Sequence, residues 1–195
     1  MSKIEICRTP KTVARFEKVS REFYDRATAN VDTGIDFLYG KDNCTKNILP
    51  YDDLIIPKRA TRFSAGYDFY SPMDLVIPPK KREIIPTFIK CKIDTDCVLV
   101  ICPRSGFALK NEVMLTNTVG IIDADYYNSV SDTITNEGNI LICISNLSST
   151  NSITLSKGER FCQGLFLPYF SAMNDDNEEL MNSVRQGGAG STGND

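Results

Sequence analysis

The chain has 195 residues, of which 42% are hydrophobic and 24% are charged, and its formal net charge is −3. These values are typical of one folded domain with a sizeable core, and the acidic balance argues against a protein that binds nucleic acid non-specifically. No apolar run approaches the roughly 20 residues of a membrane span, and residues 1–10 lack the apolar run of a signal peptide. We therefore expect no contact with membranes and no direct binding to nucleic acid.

Residues 1–55 differ in pattern from the rest of the chain, and we interpret them as an N-terminal extension. Apolar side chains within residues 16–24 recur at helical spacing, which predicts a helix with Ser20 inside it. A strand over residues 15–19 fits nearly as well. Residues 28–50 are rich in Asn, Asp, Gly and Thr and have no steady period, which predicts a long loop.

The pattern is β from Tyr67 to Tyr169, and we assign residues 56–170 to a single β domain. Short apolar or alternating runs are separated by Pro, Gly, Asn and Asp, which is typical of an all-β sandwich or barrel. One short helix is predicted from Ser105 to Lys110. The runs cover residues 74–77, 83–93, 98–102, 114–122, 140–146, 152–155 and 161–168.

Residues 171–195 are predicted to leave this domain as an acidic linker followed by a flexible, glycine-rich C-terminal arm. Residues 188–193 have the spacing G-x-G-x-x-G, but no helix pattern follows them, as a dinucleotide-binding loop requires. The segment is either a disordered tail or a lid. As a lid, it would surround phosphate oxygens with backbone amides, the guanidinium of Arg185 and the hydroxyls of Ser191 and Thr192.

The sequence contains no histidine. This excludes histidine-based catalytic triads, histidine-bound zinc and a histidine general base. Base chemistry near neutral pH then depends on a carboxylate, a lysine, a tyrosine or a metal-bound water. The seven cysteines form no C-x-x-C pair, and most lie in apolar runs, as Cys102 and Cys143 do. We therefore expect free thiols and a reducing, cytoplasmic compartment.

Several polar residues interrupt or follow the predicted strands. Residues 104–106 follow an apolar strand, where they form either an anion site or an ordinary turn with Ser105 as the N-cap of a helix. Asp123 follows two β-branched residues and is either a general base or a turn aspartate, and Asp68 at another strand start has the same bland alternative. Gln163 is either an outward strand residue or a buried amide with a partner.

Five segments have the order and spacing found in the trimeric dUTPase family, whose members convert dUTP to dUMP and pyrophosphate. The chain resembles that family from about Ile56 to Gly193. The segments are AGYD at 65–68, PRSG at 103–106, NTVGIIDADY at 117–126, KGERFCQ at 157–163 and GGAGSTG at 187–193. The resemblance implies a jelly-roll-like, all-β homotrimer that uses Mg²⁺ to hydrolyse dUTP in sites built from all three chains.

The resemblance also implies a role for each matching residue. Asp123 is similar to the carboxylate that activates the attacking water, and Gln163 to the glutamine near that water and the α-phosphate. Asp68 resembles the acid that holds Mg²⁺ through its water shell. Tyr126 resembles the residue that packs on the deoxyribose and leaves no room for a 2′-hydroxyl. The implied phosphate ligands are Arg104, Ser105, Gly106, Arg185, Ser191 and Thr192, and the implied uracil pocket comprises Asn117, Ile121, Ile122, Gly138 and Leu141.

Three features depart from the family pattern. Ala189 stands where a phenylalanine commonly stacks on uracil, and Arg185 lies one position closer to the glycines than usual. Residues 127–137, YNSVSDTITNE, form an insertion after Tyr126. Phage-encoded relatives also carry extra segments here, and some of them bind bacterial repressors, so we predict a protein-partner surface on this insertion.

The sequence leaves two other functions open. dCTP deaminase has the same superfamily fold but uses a glutamate near the cytosine amino group, where this chain has the segment 123–126. A nucleotide-responsive regulator that binds a repressor-like partner fits the insertion and the altered last segment. The retained Asp68, Arg104 and Gln163 favour hydrolysis of dUTP.

Overall fold

The structure is a computed structural model that describes residues 11–29, 47–129 and 136–173. Within these ranges the chain forms twelve β-strands and two α-helices. The strands are β1 (Ala14–Lys18), β2 (Lys58–Arg59), β3 (Tyr67–Tyr70), β4 (Leu75–Ile77), β5 (Arg82–Pro86), β6 (Ile89–Ile93), β7 (Cys97–Pro103), β8 (Val113–Leu115), β9 (Gly120–Ile122), β10 (Leu141–Asn146), β11 (Ile153–Leu155) and β12 (Arg160–Pro168). The helices are α1 (Arg21–Thr28) and α2 (Ser105–Asn111), and short 3₁₀ turns span Tyr51–Asp53 and Ala124–Tyr126.

All strand pairs are antiparallel, and four sheets contribute side chains to one main core. The sheets have the orders β2-β3-β12-β7-β9, β5-β10-β8, β1-β6 and β11-β4. The fully buried side chains of this core include Phe69, Ile77, Ile85, Leu99, Ile144 and Phe161. The predicted all-β fold and the predicted helix after Pro103 are therefore confirmed.

Two of the predicted runs are each divided into two strands. Residues 83–93 form β5 and β6, because Pro86 lacks an amide donor and Phe88 takes a left-handed conformation with φ +55°. Residues 114–122 form β8 and β9 in different sheets, because the chain turns at Thr118, whose φ is +67°. Short-range alternation does not reveal either turn.

The N-terminal segment contains a strand followed by a helix. The hydroxyl of Ser20 caps α1 by accepting a hydrogen bond of 3.0 Å from the amide of Phe23. The predicted helix over residues 16–24 is therefore wrong in its first half, and the alternative strand is correct within one residue. The apolar spacing serves two packing sites: Phe16 packs against the main core, whereas Phe23 lies in a second apolar cluster.

β1 is packed against the main β domain. It pairs with β6, and the Phe16 ring lies 5.4–5.7 Å from the rings of Tyr67, Phe69 and Phe166. The boundary between the N-terminal extension, residues 1–55, and the β domain, residues 56–170, stays a prediction. The predicted loop over residues 28–50 and the arm after residue 173 lie largely outside the described residues. In the described part of the chain, no helix has the length and apolar character needed to cross a membrane.

Candidate active site

A buried carboxylate binds two arginines at one end of the five-stranded sheet. Asp68 on β3 lies opposite Gln163 on β12, which in turn lies opposite Cys102 on β7. Asp68 is only 5% exposed. Its Oδ1 accepts from Arg104 Nε at 2.8 Å, and its Oδ2 accepts from Arg160 Nη1 at 3.1 Å. The carboxylate therefore holds two guanidinium groups side by side, an arrangement suited to binding an anion.

Arg160 is the residue of this cluster that the sequence interpretation did not assign, although it lies in the KGERFCQ segment. In a regular strand, Arg160 and Gln163 would point to opposite faces. A β-bulge between Arg160 and Cys162 adds one residue, so Arg160 lies opposite Tyr70 while Gln163 lies opposite Asp68. Both side chains therefore share the face of the sheet that carries Asp68.

Residues 104–106 form the junction between β7 and α2, beside this cluster. The amide of Arg104 donates to the carbonyl of Phe161 at 3.0 Å, and Arg104 itself is the N-cap of α2. Ser105 is thus the first helical residue, and the turn interpretation with Ser105 as N-cap is wrong. Ser105 and Gly106 are exposed, and a Cβ on Gly106 would meet no atom within 4 Å.

Asp123 and Tyr126 lie together in the short turn after β9. The carbonyl of Asp123 accepts from the amide of Tyr126 at 3.2 Å, and Asp123 is exposed. The Tyr126 ring is buried. Its hydroxyl donates to the carbonyl of Asn139 at 2.9 Å and accepts from Asn136 Nδ2 at 2.8 Å. Asn136 and Asn139, which the sequence interpretation also missed, therefore fix the orientation of the tyrosine.

Gly138 directly follows the insertion and lies against the backbone of Tyr126. Its φ is +75°, and a Cβ there would lie 2.5 Å from the Tyr126 carbonyl oxygen and 3.0 Å from the Asn128 nitrogen. Of the other residues in the predicted uracil pocket, Asn117 and Ile121 are exposed and Ile122 is half-buried. The side chain of Leu141 packs against the second apolar cluster, beside α1.

Gly138→Ala is expected to lower the free energy of unfolding by about 3 kcal/mol, because the left-handed backbone disfavours a side chain and the Tyr126 backbone must also move. Gly158→Ala is the matched control, since Gly158 has φ +77° and open space around it. The control is expected to cost about 1 kcal/mol. Urea unfolding of both variants measures the difference, and equal losses would show that Gly138 does not contact Tyr126 closely.

The thiols near this site are not nucleophiles at neutral pH. Burial raises the pKa of Cys102, although a hydrogen bond with Gln163 opposes this shift, and burial raises the pKa of Cys162 still further. Both thiols therefore stay protonated. Cys91, Cys97 and Cys162 are buried free cysteines, as their apolar runs predict, and Cys102 and Cys143 are half-buried.

Within one chain, Asp123 does not reach the arginine cluster. β9 pairs with β7 so that Ile122 lies opposite Leu99, and the position after Ile122 corresponds to Val98. Arg104 follows the other end of β7, six residues from Val98. At about 3.3 Å per residue, Asp123 and Arg104 are roughly 20 Å apart. A site that uses both residues must take them from different chains.

The predicted C-terminal phosphate clamp, formed by Arg185, Ser191 and Thr192, lies outside the described residues. Ala189, which replaces the family's usual phenylalanine, also lies outside them. Residues 130–135 of the insertion also lie outside them. In the described ranges, no cluster of three or more carboxylates or cysteines is arranged to hold a metal ion.

The chain matches the dUTPase family model over residues 52–193. The deoxyuridine 5'-triphosphate nucleotidohydrolase of Lactococcus lactis is 38% identical over 138 residues, which cover 71% of this chain and 87% of that protein. The corresponding Corynebacterium glutamicum protein is 35% identical over 142 residues, covering 72% of this chain and 89% of that protein.

Solved structures show the same relationship. The crystal structure of dUTPase from Streptococcus mutans has a TM-score of 0.55 and 33% identity, and the match covers 62% of this chain and 91% of that one. The dUTPase of Staphylococcus bacteriophage 80alpha, at 19% identity, has a TM-score of 0.57 over 87% of this chain and 98% of that one, which shows a shared fold. These matches confirm the predicted jelly-roll-type fold. With the family match spanning most of the sequence and relatives above 30% identity over some seven-tenths of it, the chain belongs to the dUTPase family.

Proposed function

We propose that the protein hydrolyses dUTP to dUMP and pyrophosphate, which removes dUTP and supplies dUMP. The observation that carries this proposal is the Asp68–Arg104–Arg160 cluster, which shares one sheet with β9 and the exposed Asp123 that follows it. A triphosphate concentrates negative charge, and its hydrolysis depends mainly on positioning and on electrostatic stabilisation. The arginines supply positive charge, and Asp123 supplies a base in a protein without histidine.

In the proposed reaction, Asp123 accepts a proton from a water as its oxygen attacks the α-phosphorus in line. The bond between the α-phosphorus and the bridging oxygen breaks, and that oxygen leaves with pyrophosphate. Gln163 orients the water and the α-phosphate. Arg104, Ser105 and Gly106 bind phosphate oxygens, and Arg185, Ser191 and Thr192 complete the phosphate clamp after closure of the arm.

The residues at this site are compatible with Mg²⁺ held through water. Each oxygen of Asp68 already accepts from an arginine, which leaves lone pairs for a water but favours no direct metal bond. Mg²⁺ prefers phosphate oxygens and retained waters, and when bound it neutralises phosphate charge. We propose that Asp68 holds the ion through its water shell.

A homotrimer is supported by an apolar stripe on the outer face of the five-stranded sheet. Outward positions of β7, β9 and β12 alternate with buried ones. Beyond Gln163, they are occupied by Val98, Val100, Cys102, Ile121, Leu165 and Leu167. Ile121 is 53% exposed and Leu167 is 47% exposed. Antiparallel sheets normally present polar side chains to water, so this stripe indicates a covering partner. We propose that a second copy of the chain covers this stripe and contributes its own Asp123 to the site.

The base and sugar are proposed to lie against the turn after β9. Asn117, Ile121, Ile122, Gly138 and Leu141 surround the uracil, mainly through backbone groups, and Tyr126 packs on the deoxyribose.

The cytoplasmic location and a protein partner for the insertion remain predictions.

Turnover of a nucleotide panel tests the proposed function. The purified protein is incubated with Mg²⁺ and dUTP, dCTP, dTTP or UTP, and both pyrophosphate release and the base of the product are measured. We expect rapid pyrophosphate release from dUTP alone. Deamination of dCTP would instead assign the protein to that related activity, and no turnover of any nucleotide would favour a nucleotide-responsive regulator.

A further inference from the structure

Both ends of the insertion are bound to the N-terminal strand and helix. At the first end, the Tyr127 hydroxyl donates to Glu17 Oε2 at 2.7 Å. At the second end, the Glu137 carboxylate accepts from the Ser20 amide at 2.8 Å and from the Ser20 hydroxyl at 2.6 Å. β1 and α1 therefore contact the insertion on either side of the residues outside the described ranges.

The contact between Glu137 and Ser20 completes the cap of α1. Helix starts leave amide donors without intrahelical partners, and a glutamate commonly accepts from the N-cap amide. Here the glutamate comes from 117 residues further along the chain. Lys90 Nζ lies 3.9 Å from Glu137 Oε2, and both side chains are mostly shielded, with 13% and 20% exposed. Water therefore screens this group of charges less than it would on an open surface.

The backbone beside this contact is strained. Glu137 has φ +54° and the adjacent Gly138 has φ +75°. A left-handed conformation is unfavourable for a glutamate and persists only where surrounding contacts hold it. Since Gly138 lies directly against the Tyr126 carbonyl, release of Glu137 would free the backbone that supports Tyr126.

A second route connects the N-terminal segment to Tyr126 through Asn139. The Asn139 carbonyl accepts from the Tyr126 hydroxyl, and Asn139 Oδ1 accepts from the Phe88 amide at 2.8 Å. Phe88 is buried in the second apolar cluster together with Val19 and Phe23. α1 therefore packs behind the peptide segment that fixes the tyrosine hydroxyl.

We propose that Glu137 and Ser20 are positioning residues that hold Tyr126 in place for selection of a 2′-deoxyribose. This inference rests on the proposed function. It assigns a role in substrate selection to β1 and α1, which lie before the region that matches the family at residues 52–193. It also ties this role to Glu137, the last residue of the insertion.

Glu137→Gln and Ser20→Ala test the proposal, with kcat and KM measured for dUTP and UTP. Because small displacements at a site weaken binding, we expect KM for dUTP to rise about three- to tenfold and the preference for dUTP over UTP to fall about tenfold. kcat is expected to stay within about twofold, since Asp123 and the arginine cluster are unchanged.

Two further variants serve as controls. Ser20→Thr retains a capping hydroxyl, so its KM and selectivity are expected to equal those of the wild-type protein. Arg21→Gln removes a different contact of α1, the 2.6 Å pair with exposed Asp52, and is expected to leave both values unchanged. Unchanged KM and selectivity in Glu137→Gln and Ser20→Ala would overturn the proposal, even if their unfolding temperatures fell.

A third measurement separates this proposal from the proposed function. Calorimetric titration with non-hydrolysable imido analogues of dUTP and UTP reports selectivity without turnover. If the wild-type protein binds the dUTP analogue preferentially but releases no pyrophosphate, the hydrolase proposal fails while the positioning role is still measured. If Glu137→Gln does not fold, Ser20→Ala and Ser20→Thr decide the outcome, since both retain the Glu137 carboxylate. Equal binding of the two analogues by wild-type protein would overturn the positioning role.

Discussion

Asp123→Asn is expected to lower kcat for dUTP hydrolysis by about 10²- to 10⁴-fold, because an amide cannot accept the proton from the attacking water. Asn has nearly the same shape, and Asp123 is exposed at the start of a short turn. The variant should therefore fold normally and bind the imido analogue of dUTP with near wild-type affinity. Pyrophosphate release at saturating dUTP and calorimetric binding measure the two effects separately.

Asp25→Asn is a suitable control for this experiment. Asp25 is an exposed aspartate on α1, away from the five-stranded sheet, and its replacement makes the same change in charge. We expect wild-type turnover from it. An Asp123→Asn protein that kept more than a tenth of wild-type kcat would show that another group accepts the proton.

Mixing two inactive variants is expected to restore activity. Asp123→Asn chains keep the arginine cluster, whereas Arg104→Gln chains keep the base. These two groups lie roughly 20 Å apart in one chain, so a site that uses both would draw them from different chains. In randomly mixed trimers at equal amounts, about a quarter of the sites would combine an intact Arg104 with an intact Asp123.

The assay compares pyrophosphate release before and after the two variants exchange subunits through mild denaturation and refolding. Each variant refolded alone provides the baseline. A mixture of Arg104→Gln with Asp68→Asn provides a further control, because the Asp68 and Arg104 side chains contact each other within one chain. In that control mixture, every chain has lost one member of the Asp68–Arg104 pair. Its rate of pyrophosphate release should therefore stay near the baseline. Absence of activity in the first mixture would show that the site is not shared between chains.

Parts of the site were predictable because they depend on local sequence. Residues 103–106 and 117–126 keep the residue types and order of the family segments, and α2 follows Pro103 as its pattern indicates. The missing histidine left a carboxylate among the possible bases, and the resemblance to the family then assigned that role to Asp123. These inferences need only short segments and their order along the chain.

The N-terminal segment shows where local pattern is insufficient. Apolar residues at positions 16–24 match a helical period, but Phe16 and Phe23 pack in different clusters on either side of a strand-to-helix junction. Ser20 forms that junction because its hydroxyl caps α1 and its amide donates a hydrogen bond to the Glu137 carboxylate. No periodicity within residues 16–24 contains information about a carboxylate 117 residues away.

The sequence by itself determined the all-β class, the family and the residue types proposed for the reaction, because these follow from composition, short-range alternation and ordered segments. Only the tertiary structure decided how these residues are grouped. The bulge in β12 placed Arg160 beside Asp68, and the register of β9 on β7 separated Asp123 from Arg104. Both outcomes depend on hydrogen-bonded register between strands far apart in sequence, and a one-residue shift in register reverses the face on which a side chain lies.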